Sequence, residues 1–202
     1  MTTLKQLKAE AATCTSCPLY RDATQTVFGE GAQGARLVFV GEQPGDQEDR
    51  TGHPFVGPAG RELDDCLEAA GIDRNDVYIT NVVKHFKFTR RGKRRIHKKP
   101  NAEEIRACRQ WLDDELKTIK PIGIVCLGAT AAQALIDRTA TITKTRGTFQ
   151  PTEHADWITA TIHPSAILRA PDDEARREER DAFIRDLKRI KKEIKRPIRH
   201  AG

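Results

Sequence analysis

The chain moves between two hydrophobic rhythms. Runs of consecutive apolar and β-branched residues stand at 36–41 (Arg-Leu-Val-Phe-Val-Gly), 77–80, 122–127 and 157–162, the pattern of strands buried on both faces. Between them, the stretches 59–70, 102–118 and 129–136 carry the spacing of helices with one buried stripe. Asn101, followed three residues later by Glu104, predicts a capping box at the head of the second helix. This alternation predicts a three-layer α/β/α sandwich around a central four-stranded, mainly parallel sheet. Ligands of such sheets gather beyond the carboxyl ends of the strands. The first strand runs into Gly41-Glu42-Gln43-Pro44-Gly45-Asp46, the second into Asn81, the third into Gly128 and the fourth into His163-Pro164-Ser165. Glu42, Asn81 and His163 are therefore expected on one rim.

A further helical pattern begins near 174, rich in charge, with Phe183, Ile184, Leu187, Ile190 and Ile194 spaced to dock on the sheet. A chain of 202 residues with 38% hydrophobic content suits one domain over 1–202, ending in a basic helix and tail from about 174 to 202. No internal repeat is present. The first residues mix charge with apolar side chains and no long apolar run follows, so neither a signal peptide nor a membrane contact is expected, and a cytoplasmic location is. Nothing in the pattern calls for a dimer, so a monomer is expected. The net charge of +6 favours a polyanionic partner, although part of that excess sits in the tail.

Composition alone does not say which side chains do chemistry. Lys93-Arg94-Arg95-Ile96-His97, with Lys98 and Lys99 after it, reads as a cationic loop around one imidazole. Like charges disfavour protonation, so His97 is expected to be neutral there. A neutral imidazole can attack an electrophile; the same segment can simply hold a phosphate backbone. Cys14 and Cys17 form a Cys-x-x-Cys pair that one turn of chain can present to a metal, and Cys108 and His85 could complete four ligands. From ligand chemistry alone such a set suits zinc as readily as an iron–sulfur cluster. Cys66 and Cys126 lie on an apolar helix face and within a strand, and read as core.

Taken together in this order, Cys14-x-x-Cys17, Gly41-Glu42-Gln43-Pro44-Gly45, Pro54 to Gly60, Thr80-Asn81-Val82-Val83-Lys84, Cys108 and His163-Pro164-Ser165 resemble the iron–sulfur branch of the uracil-DNA glycosylase superfamily. The resemblance runs from about Cys14 to Leu168. Three departures, His85 in place of a cysteine, Gln43 in place of a small residue, and the cationic segment ending in His97, resemble its cross-linking, UdgX-type branch. The resemblance implies a 4Fe-4S cluster on Cys14, Cys17, His85 and Cys108, and excision of uracil from single-stranded or duplex DNA with free uracil as product. It gives Phe55 the stacking of the flipped base, Asn81 the reading of uracil O4 and N3–H, and His163 a hydrogen bond to O2. Glu42 faces the cationic sugar, and His97 attacks C1' with Glu42 helping to take its proton. Gln43 and Asp46 bind substrate or order the loop. Ser165 contacts phosphate; Lys93, Arg94, Arg95 and Arg169 hold DNA; Ile167, Leu168 and Arg169 wedge beneath the flipped nucleotide. Two other readings compete: a conventional glycosylase that releases an abasic product, and a non-catalytic, zinc-bearing nucleic-acid binder.

Overall fold

A computed structural model describes residues 2–195. Four strands have every residue buried: β2 (Leu37–Gly41), β3 (Val77–Asn81), β6 (Gly123–Leu127) and, over its last five residues, β8 (Ala155–Thr161). They run parallel in the order β3-β2-β6-β8. The sheet is nevertheless six-stranded and mixed, because β1 (Glu30–Gly31) and β7 (Gln150–Thr152) add antiparallel edges to β3 and β8. This corrects the four-stranded expectation. Strands of two and three residues are too short for a period of two to show.

Alternation along the parallel strands sorts the core into two layers. Val38, Val40, Ile124, Cys126 and Ile158 face helices α4 (Ala102–Ile119) and α5 (Ala129–Leu135), packing on Leu112, Leu116 and Ala132. Leu37, Phe39, Ile79, Val125 and Leu127 face α3 (Pro58–Ala70), α7 (Pro164–Leu168) and α8 (Asp173–Ile194), packing on Leu63, Leu67, Phe183 and Leu187. The α/β/α layering thus follows from strands apolar on both faces. Helix α1 (Leu4–Ala11) lies outside this sandwich against α4, through Leu7, Ala11 and Phe28. The capping box of Asn101 and Glu104 forms as the spacing predicts. The basic segment after 195 lies outside the described residues. No described helix is long and apolar enough to cross a membrane.

The cationic segment is not a loop. Phe88–Arg91 (β4) and Arg94–His97 (β5) pair as an antiparallel hairpin in which Phe88 faces His97, and Gly92, at φ 60°, sits in the two-residue turn. Helix α2 (Asp46–Thr51) begins immediately after Gly45. The short α6 (Ile142–Thr145) completes the elements.

Candidate active site

A cavity of about 770 Å³ opens at the carboxyl ends of the parallel strands, with Glu42, Gln43, Phe55, Asn81, His97 and His163 in its wall. The parallel ladder places two of these directly. Gly41 pairs with Asn81 in register, and the ladder continues as Val82 N–H donates to the Gly41 carbonyl and Val83 N–H to that of Glu42. A Cβ on Gly41 would run into Asn81 Oδ1 and come within 2.7 Å of the Phe55 ring. Gly41 is thus the floor over which these two side chains meet. Phe55 holds φ at 56°, a conformation unusual for a bulky residue, and Gly60 at the start of α3 lets the helix lie against its carbonyl. Asn81 Oδ1 is buried with no hydrogen-bond partner. An unpaired buried acceptor costs roughly 1–3 kcal/mol, so the site is built to receive a donor.

On the opposite wall, His97 Nε2 lies 3.4 Å from Glu42 Oε1 and 2.9 Å from Gln43 Nε2. Gln43 Oε1 accepts from Lys87 N–H, which turns its amide NH₂ toward the carbonyls of Lys87 and Lys98 and toward His97. The two amide hydrogens face three acceptors, the carbonyls of Lys87 and Lys98 and His97 Nε2, while Glu42 Oε1 offers Nε2 an acceptor, so both neutral tautomers of His97 fit this geometry. The Thr130 hydroxyl, at the start of α5, donates to the other oxygen of Glu42. His163 Nδ1 accepts from Ser165 N–H at 3.1 Å and lies 2.8 Å from its hydroxyl. Its proton therefore sits on Nε2. Burial, then the charges of Arg169 and His97, push its pKa down to about 4, so this imidazole is a neutral donor at ordinary pH. Its ring lies 5.8 Å from that of Phe55.

The family model described as the uracil DNA glycosylase superfamily matches residues 28–188 of the chain. The protein belongs to that superfamily. The Type-4 uracil-DNA glycosylase of Thermotoga maritima is 41% identical over 189 residues, covering 91% of this chain and 90% of the relative. That of Archaeoglobus fulgidus is 36% identical over 199 residues, covering 94% and 92%. A Type-5 uracil-DNA glycosylase from Pyrobaculum aerophilum matches at 32% over 139 residues, 59% of this chain and 58% of the relative.

In this superfamily member several side chains do something other than the sequence suggests. Arg95 is not available to DNA: its guanidinium pairs with Asp46 and, at 2.6 Å, with Asp49, it stacks over Phe86 and Phe88, and only 7% of its side chain is exposed. It latches the hairpin to α2. Lys93 and Arg94 remain exposed. Asp46 lines the cavity, but its carboxylate is engaged by Arg95 and Arg50. Gln43 clips the chain on both sides of the hairpin instead of facing the cavity centre, and Ser165 is occupied by His163. Ile167 is fully buried in the core and cannot wedge; Leu168 is 38% exposed, and Arg169 lies on the cavity rim. The sequence reading also missed Glu48, which accepts from Gly45 N–H and Gly57 N–H and so ties the two loops around Phe55 together. Like Thr130, it lacks a signal beyond lying just past a strand end.

Cys17 and Cys108 are buried and Cys14 is half-buried. Trp111 Nε1–H donates to Cys14 Sγ at 3.1 Å, and Lys84 N–H to Cys108 Sγ at 3.2 Å. Burial raises the Cys108 thiol to about 11, and the charges of Cys17 and Cys14 add to that rise. The three sulfurs thus share one neighbourhood. His85 is buried directly after Lys84, and its pKa is lowered by burial while Asp49 acts the other way. Among the described residues no three or more His, Cys, Asp or Glu side chains converge as a formed metal site. Cys66 and Cys126 are core residues, both fully buried.

Proposed function

We propose that the protein, acting as one glycosylase domain, excises uracil from DNA and is left covalently joined through His97 to C1' of the emptied deoxyribose. The observation that carries this reading is a single cavity holding both an unpartnered acceptor, Asn81 Oδ1, and an imidazole Nε2 beside a carboxylate.

A stacked base is out of reach, so the nucleotide must be flipped, at a cost of a few kcal/mol. Stacking on Phe55 returns about 1–3 kcal/mol but accepts any base. Asn81 supplies the choice: its oxygen accepts from uracil N3–H and its NH₂ donates to O4. Cytosine offers the opposite pattern. The C1'–N1 bond then breaks with its electron pair leaving on uracil. His163 Nε2–H stabilises the charge growing on O2, and the Glu42 carboxylate, steadied by Thr130, faces the oxocarbenium-like sugar. The Nε2 lone pair of His97 forms the new bond to C1'. The imidazolium so made loses its Nδ1 proton to water, and uracil takes up a proton on departure. In the other neutral tautomer, with the proton on Nε2, the Glu42 carboxylate takes that proton as the bond to C1' forms, and in either tautomer it steadies the cationic sugar. An N-alkylated imidazole is a poor leaving group, so the adduct persists and each molecule turns over once.

Exposed Lys93 and Arg94 on the hairpin and Arg169 on the rim supply phosphate contacts. Cys14, Cys17, His85 and Cys108 would hold a 4Fe-4S cluster. Three thiols sharing a neighbourhood, two of them already receiving N–H donors, fit that group. When bound it would supply a cross-brace between the chain near α1, the segment after β3 and α4. A second reading, turnover with water in place of His97, draws support from the Type-4 relatives.

Uracil-bearing single-stranded DNA run on a denaturing gel separates the two. Wild-type protein should give a slow band that His97→Ser loses while uracil release continues. Abasic product without any shifted band would overturn the cross-link. Brown protein with broad visible absorbance is expected of the cluster; colourless protein with stoichiometric zinc would overturn it.

A further inference from the structure

One buried charge sits directly behind the uracil-reading residue. Lys84 is 1% exposed, and its ammonium is fixed by Glu115, which is fully buried on α4, and by Thr80 Oγ1 at 2.6 Å. It also lies 5.5 Å over the Phe28 ring. Its remaining strong hydrogen bond, at 2.8 Å, goes to the carbonyl of Asn81. Glu115 in turn accepts from Gly29 N–H, Tyr78 Oη–H and Thr80 Oγ1–H. All three protons of the ammonium are thus used, on Glu115, Thr80 Oγ1 and the carbonyl of the last residue of β3. A buried ion pair of this kind is a poor source of stability, since apolar replacements often do as well. It does fix geometry.

Resting on the uracil reading above, we propose that Lys84 is a positioning residue for uracil recognition. Its ammonium clamps the Asn81 carbonyl where the parallel ladder ends, and so sets the angle at which the Asn81 amide meets the base. Asn81 gains no support on its cavity side, where Oδ1 has no partner. Its aim must come from its backbone. The backbone of Lys84 is anchored as well: its N–H donates to Cys108 Sγ and its carbonyl accepts from Val27 N–H, so the clamp is itself held from both ends.

The test is the double variant Lys84→Met/Glu115→Gln. It removes both charges together and leaves an amide oxygen for Gly29, Tyr78 and Thr80, avoiding an orphaned carboxylate. Three quantities are measured on purified, cluster-loaded protein: the single-turnover rate of uracil release with protein in excess over DNA, the inhibition constant of free uracil, and the Kd for DNA carrying a tetrahydrofuran abasic analogue, which offers Asn81 nothing to read. The first two should worsen about tenfold, the loss of one charge-assisted hydrogen bond's worth of aim. The third, the visible absorbance and the thermal midpoint should hold. In an Asn81→Ala background the double variant should add nothing further. If uracil inhibition is unchanged, or if affinity for the tetrahydrofuran DNA falls in step, the positioning role is overturned. Should the double variant fail to accumulate, Lys84→Arg, which keeps the ion pair and displaces only the donor that meets the Asn81 carbonyl, is expected to show a smaller loss with the same selectivity, and an equal loss on all three measures overturns the proposal. Wild-type protein that neither releases nor binds uracil takes down the uracil reading itself, a result distinct from a working wild type with an unaltered variant.

Discussion

At the scale of single residues, the cavity is defined as much by what is absent as by what is present. Gly41 has no side chain, and any Cβ there would meet Asn81 Oδ1 and the Phe55 ring. Overpacking of this kind costs about 1–3 kcal/mol; Gly41→Ala should therefore lower the single-turnover rate of uracil release by about ten- to a hundredfold, with near-unchanged far-UV circular dichroism to show that the loss is local. His163 gives a pH signature. Its folded pKa of about 4 lies below the ordinary histidine value, so between pH 4 and about 6.5 the unfolded chain binds the extra proton and the folded one does not. Stability is thus unaffected above about pH 6.5 and falls as pH drops from there toward 4. His163→Gln should flatten that stretch of a denaturant-midpoint profile; an identical acid slope in wild type and variant would remove His163 as its source. The residues facing the cavity from strand ends were legible because a parallel sheet has only one place to put them. Thr130, Glu48 and Lys84 were not, because they act by hydrogen bonds to Glu42, to two loops and to the Asn81 carbonyl, and such partners share no spacing in sequence.

At the scale of elements, the hairpin shows why charge hides structure. Its alternation of Phe88, Arg90 and Thr89, Arg91 against Arg94, Ile96 and Arg95, His97 has the period of a strand, yet nearly every position is polar, so no apolar rhythm marks it. What holds it is the Arg95 latch to Asp46 and Asp49. Asp49 is fully buried, and removing one partner of a buried pair costs about 3–5 kcal/mol, here acting on the one arginine that ties the turn half of the hairpin to α2. If His97 forms the proposed adduct, Arg95→Gln should reduce its yield far more than the rate of uracil release, since Asn81 and His163 sit on the sheet and not on the hairpin. Equal losses in both assays would mean that the latch supports the whole cavity. Helix α8 makes the converse case: its buried Phe183, Leu187 and Ile190 were read from the three–four spacing amid dense charge, because a packed stripe must repeat every turn. Leu187→Ala should destabilise the fold by about 2–5 kcal/mol, measured by chemical denaturation, while leaving the order of base preference intact.

At the scale of the whole molecule, a net charge of +6 says only that DNA is an acceptable partner; the structure says which cations are free to meet it. Lys93 and Arg94 project from the hairpin turn and strand into solvent, whereas the Arg95 charge is already neutralised by two carboxylates. Counterion release makes the difference measurable. On single-stranded DNA each phosphate neutralised contributes about −0.7 to the slope of log K against log salt concentration. Replacing Lys93 and Arg94 together with glutamine should therefore make that slope shallower by about 1.4 and weaken binding alike for uracil-bearing and uracil-free strands. Arg95→Gln, which removes the same formal charge per residue, should leave the slope almost unchanged, because it takes no cation from the DNA-facing surface. Binding titrations with His97→Ser protein, which lacks the proposed nucleophile, across a series of salt concentrations resolve the two cases. A slope that follows the number of cations deleted, whichever they are, would mean that the protein attracts DNA by its overall charge and that the hairpin's arrangement of free and latched arginines has no part in binding.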